Sequence, residues 1–364
     1  MAYERANIQR LAAYVPGEQP QATRLVKLNT NENPYPPCQA VLDAIRSVSA
    51  ESLRRYPPPT AAAFRQTAAR VHGLAPENVI ATNGGDELLR LAVTVFCDPR
   101  CDDGKTRAGA LGVAEPSYSL YPVLADIHDT PVVRVPLNED FSLPDDTAER
   151  LNAAGCTLAM LVNPHAPSGR LTSLDQLEAI ARGFRGVLLI DEAYVDFATQ
   201  DAIPLVRMGL PNVLLLRTLS KGYSLAGLRF GYGLGHAALI AALDKARDSY
   251  NTDVLSQAAA RAALENRDVA AESWRKVIAE RDRLTARLRE LGFTVPDSQT
   301  NFVLATAPAH ADARTLYESL KQRDIFVRYF DLDRLRDKLR ITIGTPEQND
   351  ELLTALGELL KNPN

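Results

Sequence analysis

Apolar positions follow two periods along the chain. Between residues 60 and 260, short aliphatic and β-branched runs at 79–82, 110–114, 132–135, 158–162, 187–190 and 213–216 predict buried strands. Helical spacing over 60–71, 88–96 and 174–181 alternates with these runs, and another helix is expected after Glu115-Pro116-Ser117-Tyr118. Strand, loop and helix repeated in this order predict a mostly parallel sheet covered by helices. Such a sheet places its chemistry at the carboxyl ends of its strands.

The flanking segments differ in pattern. The first 35 residues are rich in turn formers and read as an extended arm. Helical spacing at Val41, Leu42, Ile45 and Val48 ends before Arg55-Tyr56-Pro57-Pro58-Pro59, where three prolines stop any helix and leave Tyr56 on a stiff segment. From 268 to 291 a long helix is predicted, with Trp274, Val277, Ile278, Leu284 and Leu288 on its apolar side and Gly292 after it. Strands at 302–304, 325–327 and 339–343 then alternate with helices at 313–322 and 346–360. The expected division is an arm over 1–35, a large domain over 36–260 and a small α/β domain over 261–364.

Composition adds exclusions. Of 364 residues 46% are hydrophobic and 24% charged, which is ordinary globular composition, and the net charge of −4 gives no electrostatic reason to expect nucleic acid or an anionic membrane as partner. Cys38, Cys97, Cys101 and Cys156 lack metal spacing and are too scattered for a disulfide framework, so reduced thiols, no metal and a cytoplasmic protein are expected. No run approaches the roughly 18 apolar residues of a membrane span.

Candidate chemistry gathers at the strand ends. Lys221 follows the run at 213–216 in Ser220-Lys221-Gly222, and Arg229 stands eight residues on. A lysine among small residues and other cations loses its proton more readily and is suited to a Schiff base, although a surface lysine on a loop fits the same spacing. Asp191 ends the run at 187–190 in Asp191-Glu192-Ala193-Tyr194, where a carboxylate calls for a cationic partner. A Walker B strand would read similarly, but no Gly-x-x-x-x-Gly-Lys-[Ser/Thr] accompanies it. Gly84-Gly85-Asp86 opens a helix after a strand and suits either a phosphate or an ordinary helix cap. Tyr118 suits a planar ring or a core position. The set as a whole fits pyridoxal 5'-phosphate.

The order and spacing of these residues resemble the aspartate aminotransferase superfamily, fold type I, over nearly the whole chain. Within it, Leu28-Asn29-Thr30-Asn31-Glu32-Asn33-Pro34, Arg55-Tyr56-Pro57, Arg217-Thr218-Leu219-Ser220-Lys221 and Leu339-Arg340-Ile341-Thr342-Ile343-Gly344-Thr345 look like the markers of the histidinol-phosphate aminotransferase family. The resemblance implies a large domain with a mostly parallel seven-stranded sheet and a smaller α/β carboxyl-terminal domain. It implies that Lys221 carries the cofactor, Asp191 pairs with its pyridine nitrogen, Tyr194 holds its ring hydroxyl and Tyr118 stacks on its ring. Gly85, Asp86, Ser220 and Arg229 would surround its phosphate, and Tyr56 would reach the phosphate of a partner subunit in a homodimer. Arg328 and Arg340 would hold the substrate's anionic end, with Tyr14 closing over it.

One departure from the family pattern stands at Asn163-Pro164-His165-Ala166-Pro167-Ser168-Gly169. The family carries Asn-Pro-Asn-Asn-Pro-Thr-Gly, and its second asparagine of the adjacent pair touches the ring hydroxyl. Ala166 cannot, so Asn163 or a water replaces it, or Tyr194 acts alone. The implied reaction is transamination of histidinol phosphate with 2-oxoglutarate to imidazole-acetol phosphate and glutamate. An aromatic or broad-range aminotransferase and a threonine-phosphate decarboxylase would use the same site.

Overall fold

Strands form where the apolar runs are long enough to be buried on both faces. The computed structural model describes residues 3–13, 17–19, 25–100 and 109–361; Tyr14 and Cys101 lie outside them. Twelve strands are found among the described residues: β1 (Val26–Lys27), β2 (Val79–Thr82), β3 (Ala110–Glu115), β4 (Val132–Pro136), β5 (Cys156–Val162), β6 (Val187–Asp191), β7 (Val213–Thr218), β8 (Gly231–Gly235), β9 (Phe302–Thr306), β10 (Ile325–Phe326), β11 (Arg328–Tyr329) and β12 (Lys338–Thr342).

Seven of them form one sheet in the order β2-β8-β7-β6-β5-β3-β4. All neighbours are parallel except β8, which runs antiparallel to both β2 and β7. Successive residues divide between two cores: Leu188, Ile190, Val213 and Leu215 join one, while Leu189, Leu214 and Leu216 join the other. That alternation is the signature of a sheet covered on both faces. Helices Gly85–Phe96, Leu120–Ile127 and Ala237–Ala246 cover the second face, and Ala62–His72, Leu174–Gly183 and Val254–Glu265 the first.

β8 carries no apolar-run signal, because its sequence is Gly-Tyr-Gly-Leu-Gly. Packing requires those glycines. A Cβ on Gly231 would lie 2.7 Å from backbone atoms of Gly84 and Gly85, and one on Gly233 would lie 2.9 Å from Ile80 and Leu88. The strand therefore runs directly beneath the β2–helix turn.

A second sheet has the order β11-β12-β9, antiparallel throughout, and sets Arg328 opposite Arg340. The amino-terminal segment joins this region, since β1 pairs in parallel with β10. The predicted long helix spans Arg267–Glu290 and buries Trp274, Val277, Leu284 and Leu288. No described helix is long and apolar enough to cross a membrane.

Candidate active site

The register of the central strands brings the candidate residues together. Asp191, the last residue of β6, lies beside Val162 of β5 and Leu216 of β7, so the loops that follow these three strands share one end of the sheet. Asp191 is 4% exposed. Its carboxylate accepts a hydrogen bond from Tyr121 Oη at 2.8 Å and another from Ala193 N at 3.0 Å. Burial lifts the carboxyl to about 6 in spite of these two donors. A cation placed against it would therefore be bound strongly.

Lys221 is half-buried on the loop after β7, and its Nζ donates to the Thr30 carbonyl at 3.0 Å. Burial brings its amine down to about 8, with Arg340 and Arg229 pushing the same way and Glu32 and Asp86 opposing. At neutral pH an appreciable fraction of such an amine is uncharged and nucleophilic. Glu32 is itself held below the usual carboxylate range by Lys27, with which it forms a short ion pair, although burial works against it.

The turn after β2 forms the third wall. Gly84 has φ +77°, a conformation a side chain would strain, and Gly85 begins the helix, leaving free backbone N–H groups at its first turn. Arg229 lies across this turn, with Nη2 3.3 Å from Asp86 Oδ2. A Cβ on Gly84 would reach to 2.8 Å of Arg229 Nη2. Ser220 is buried nearby in sequence, its hydroxyl accepting from Thr218 Oγ1 at 2.9 Å. Tyr118 is half-buried, 3.5 Å from Asp86 Oδ1 through its hydroxyl and edge-to-face with Tyr121.

Tyr194 meets Phe302 edge-to-face at 5.0 Å, and its hydroxyl accepts from Asn31 Nδ2 at 2.9 Å. Arg340 extends over the rings of Phe302 and Phe330 and donates through Nη2 to the Asn29 carbonyl at 2.9 Å. Arg328 stacks on Phe330 from the neighbouring strand. Two guanidiniums thus flank one aromatic ring, and Arg340 is close enough to depress the amine of Lys221.

Two candidates stand apart from this group. Asn163 braces its own loop: Oδ1 accepts from Thr172 N at 2.8 Å, and Nδ2 donates to the Thr172 carbonyl at 3.4 Å. Tyr56 is 81% exposed and stacks on Tyr250 with ring centroids 4.5 Å apart. His165, in the same loop as Asn163, is buried with Nδ1 on Ser168 Oγ at 2.7 Å and Nε2 on the Pro116 carbonyl at 2.9 Å.

The sequence reading missed Tyr121, Thr30 and the side chain of Asn31. Tyr121 carried a signal, since it follows Tyr118 by one helical turn in an otherwise apolar segment. Thr30 and Asn31 carried none beyond their place in a turn-rich stretch. The donor set fits pyridoxal 5'-phosphate: a glycine cradle with an arginine across it, a buried carboxylate for the ring nitrogen and an amine tuned toward neutrality.

Comparison with known proteins agrees. Residues 23–356 match the family described as aminotransferase class I and II. The chain is 43% identical over 361 residues to histidinol-phosphate aminotransferase 1 of Nostoc sp., covering 99% of each. It is 44% identical over 360 residues to histidinol-phosphate aminotransferase 1 of Burkholderia pseudomallei, covering 97% of each. The crystal structure of histidinol-phosphate aminotransferase from Sinorhizobium meliloti in complex with pyridoxal-5'-phosphate superposes with a TM-score of 0.88 at 28% identity, over 99% of this chain and 98% of that one.

Proposed function

The chain belongs to the aminotransferase class I and II family, and from that premise we propose that it uses pyridoxal 5'-phosphate to move an amino group between histidinol phosphate and 2-oxoglutarate. The products are imidazole-acetol phosphate and glutamate. The observation that carries the reaction type is the Lys221 amine at the end of β7, set against the Thr30 carbonyl at 3.0 Å and brought down to about 8 by burial, with Arg340 and Arg229 adding to the effect. The choice of amine donor rests on the 43–44% identity to relatives named for histidinol phosphate.

Each residue has a part. Lys221 would hold the cofactor, and its Nζ is the group placed to carry a proton to and from the substrate carbon. Asp191 keeps the ring nitrogen protonated. The bound cofactor supplies the electron sink that stabilises a carbanion at that carbon. Gly85, Asp86, Ser220 and Arg229 hold the phosphate, Tyr118 lies against the ring and Tyr194 serves the ring hydroxyl. Arg328 and Arg340 grip the anionic end of the substrate. A guanidinium clamps phosphate or carboxylate equally well, which suits one site to both half-reactions. Asn163 supports the loop beneath. Tyr56 belongs in the partner's site of a cytoplasmic homodimer, where its exposed ring would be covered.

Spectra of the cofactor-loaded protein before and after histidinol phosphate, without any oxo acid, test this reading. The visible band is expected to fall and a shorter-wavelength band to rise. A band that ignores histidinol phosphate and responds to phenylalanine would move the assignment to an aromatic aminotransferase. Lys221→Ala is expected to abolish turnover, and normal transamination by that variant would refute the role of the lysine.

A further inference from the structure

Ala166 leaves Tyr194 without the amide that the family pattern would set beside it, and the surroundings of Ala166 are apolar. It packs with Val162 and Phe302, and the ring of Tyr194 rests against the same group. A polar partner reaches the Tyr194 hydroxyl from a different part of the chain, the amino-terminal segment, through Asn31 Nδ2 at 2.9 Å.

The orientation of that amide is fixed. The backbone N of Asn31 donates to Thr342 Oγ1 at 3.0 Å, which occupies the threonine oxygen as an acceptor. The Thr342 hydroxyl then has one proton to give, and it goes to Asn31 Oδ1 at 3.1 Å. With Oδ1 facing Thr342, Nδ2 faces Tyr194. Asn301 Nδ2 closes the set by donating to the Asn31 carbonyl at 2.9 Å. Residue 31 is 2% exposed and has φ +56°, a left-handed conformation that asparagine and aspartate accept better than most residues. Such a conformation persists only where its surroundings over-determine it, as these four hydrogen bonds do.

We propose that Asn31 is a positioning residue: by donating to the Tyr194 oxygen it leaves the phenolic proton to be given away from Asn31, toward the ring oxygen of the cofactor. It thereby supplies, one residue removed, the orienting role that Ala166 cannot fill. The inference rests on the assignment of Tyr194 to that ring oxygen. A hydroxyl that donates to the ring oxygen stabilises its negative charge once the proton shared with the Lys221–cofactor bond has left. The pH at which that proton leaves is therefore lower when Tyr194 points the right way.

The test titrates the visible absorbance of the pyridoxal 5'-phosphate-loaded protein against pH, which needs no substrate. Asn31→Asp keeps shape and backbone but replaces the donor by an acceptor, which draws the phenolic proton back. Its midpoint is expected to rise by about one unit or more, the size of one charge-assisted hydrogen bond. Asn31→Gly removes the side chain at no backbone strain and frees the hydroxyl to turn, so a smaller rise is expected. Adding Asn31→Asp to Tyr194→Phe is expected to shift the midpoint by the effect of the added charge alone, which is less than the same substitution gives with the tyrosine hydroxyl present.

Midpoints equal to that of the unsubstituted protein in both single variants would overturn the proposal. So would an Asn31→Asp shift that survives in full without the tyrosine hydroxyl. Should Asn31→Asp fail to fold, Thr342→Val carries the test by releasing the amide to turn over; a rise supports the proposal and an unmoved midpoint defeats it. If the unsubstituted protein binds no cofactor, the site reading falls. If it binds and titrates while the variants follow it, only the role of Asn31 falls.

Discussion

Tyr121→Phe deletes one oxygen from the site and should move the working pH of the protein. The Tyr121 hydroxyl donates to Asp191 at 2.8 Å in a fully buried position, and with Ala193 N and Lys221 it is one of three groups holding that carboxyl down to about 6 against burial. A hydrogen bond to a charged group contributes roughly 1.5–3 kcal/mol net, and one unit of pKa corresponds to about 1.4 kcal/mol. Removing the hydroxyl should therefore raise Asp191 by about one to two units. At pH 7 the carboxylate would pass from mostly ionised to half or less, and cofactor affinity should drop about two- to tenfold. The assay is a titration of apo-protein with pyridoxal 5'-phosphate, followed by absorbance between pH 5 and pH 9. The cofactor's own ionisations are common to both proteins, so the difference between the two curves isolates Asp191. Affinity in the unsubstituted protein should fall below about pH 6, and in the variant one to two units higher. Superimposable curves from two folded proteins would refute the argument that Tyr121 sets the charge of Asp191.

The same carboxyl predicts a stability effect of opposite sense. Its folded pKa of about 6 lies above the ordinary 3.8, so as pH rises from 4 to 6 the unfolded chain releases its proton first and the apo-protein loses about 3 kcal/mol. Asp191→Asn should stabilise the apo-protein by up to about 3 kcal/mol at pH 7.5 and by little at pH 4, read from urea unfolding at both. Arg217→Met should cost about 3–5 kcal/mol in the same assay, because Arg217 Nε donates to the fully buried Glu192 at 2.7 Å. Gly84→Ala should weaken cofactor retention by about tenfold through left-handed strain and displacement of Arg229, measured by the rate at which the visible band is lost on dialysis.

Legibility of the fold followed locality. β6 and β7 stood out because each opens with four consecutive apolar residues, 187–190 and 213–216, and the polar residue that breaks each run then marks the cleft. β8 was invisible because close approach to the Gly84–Gly85 turn and to Leu88 forces glycine where a strand would otherwise show valine or isoleucine. Lys221, Asp191 and Arg229 were recognisable from their neighbours in sequence. Tyr121 was legible in principle from its one-turn spacing to Tyr118. Asn31 was not, since its partners lie 163 and 311 residues away and no local pattern encodes a contact at that separation. The loop at Asn163 showed its departure in sequence, while the use of the Asn163 amide on Thr172 required coordinates.

The tripeptide Asn29-Thr30-Asn31 offers its carbonyl to Arg340, its carbonyl to Lys221 and its amide to Tyr194 at successive residues. Three functions are thereby threaded on less than 10 Å of chain. A substitution that shifts this backbone by a fraction of an ångström would disturb anion affinity, amine basicity and cofactor colour together. Random mutagenesis of the site should accordingly sort into variants that change one of these observables and a small class that changes all three, and the second class should map to this segment.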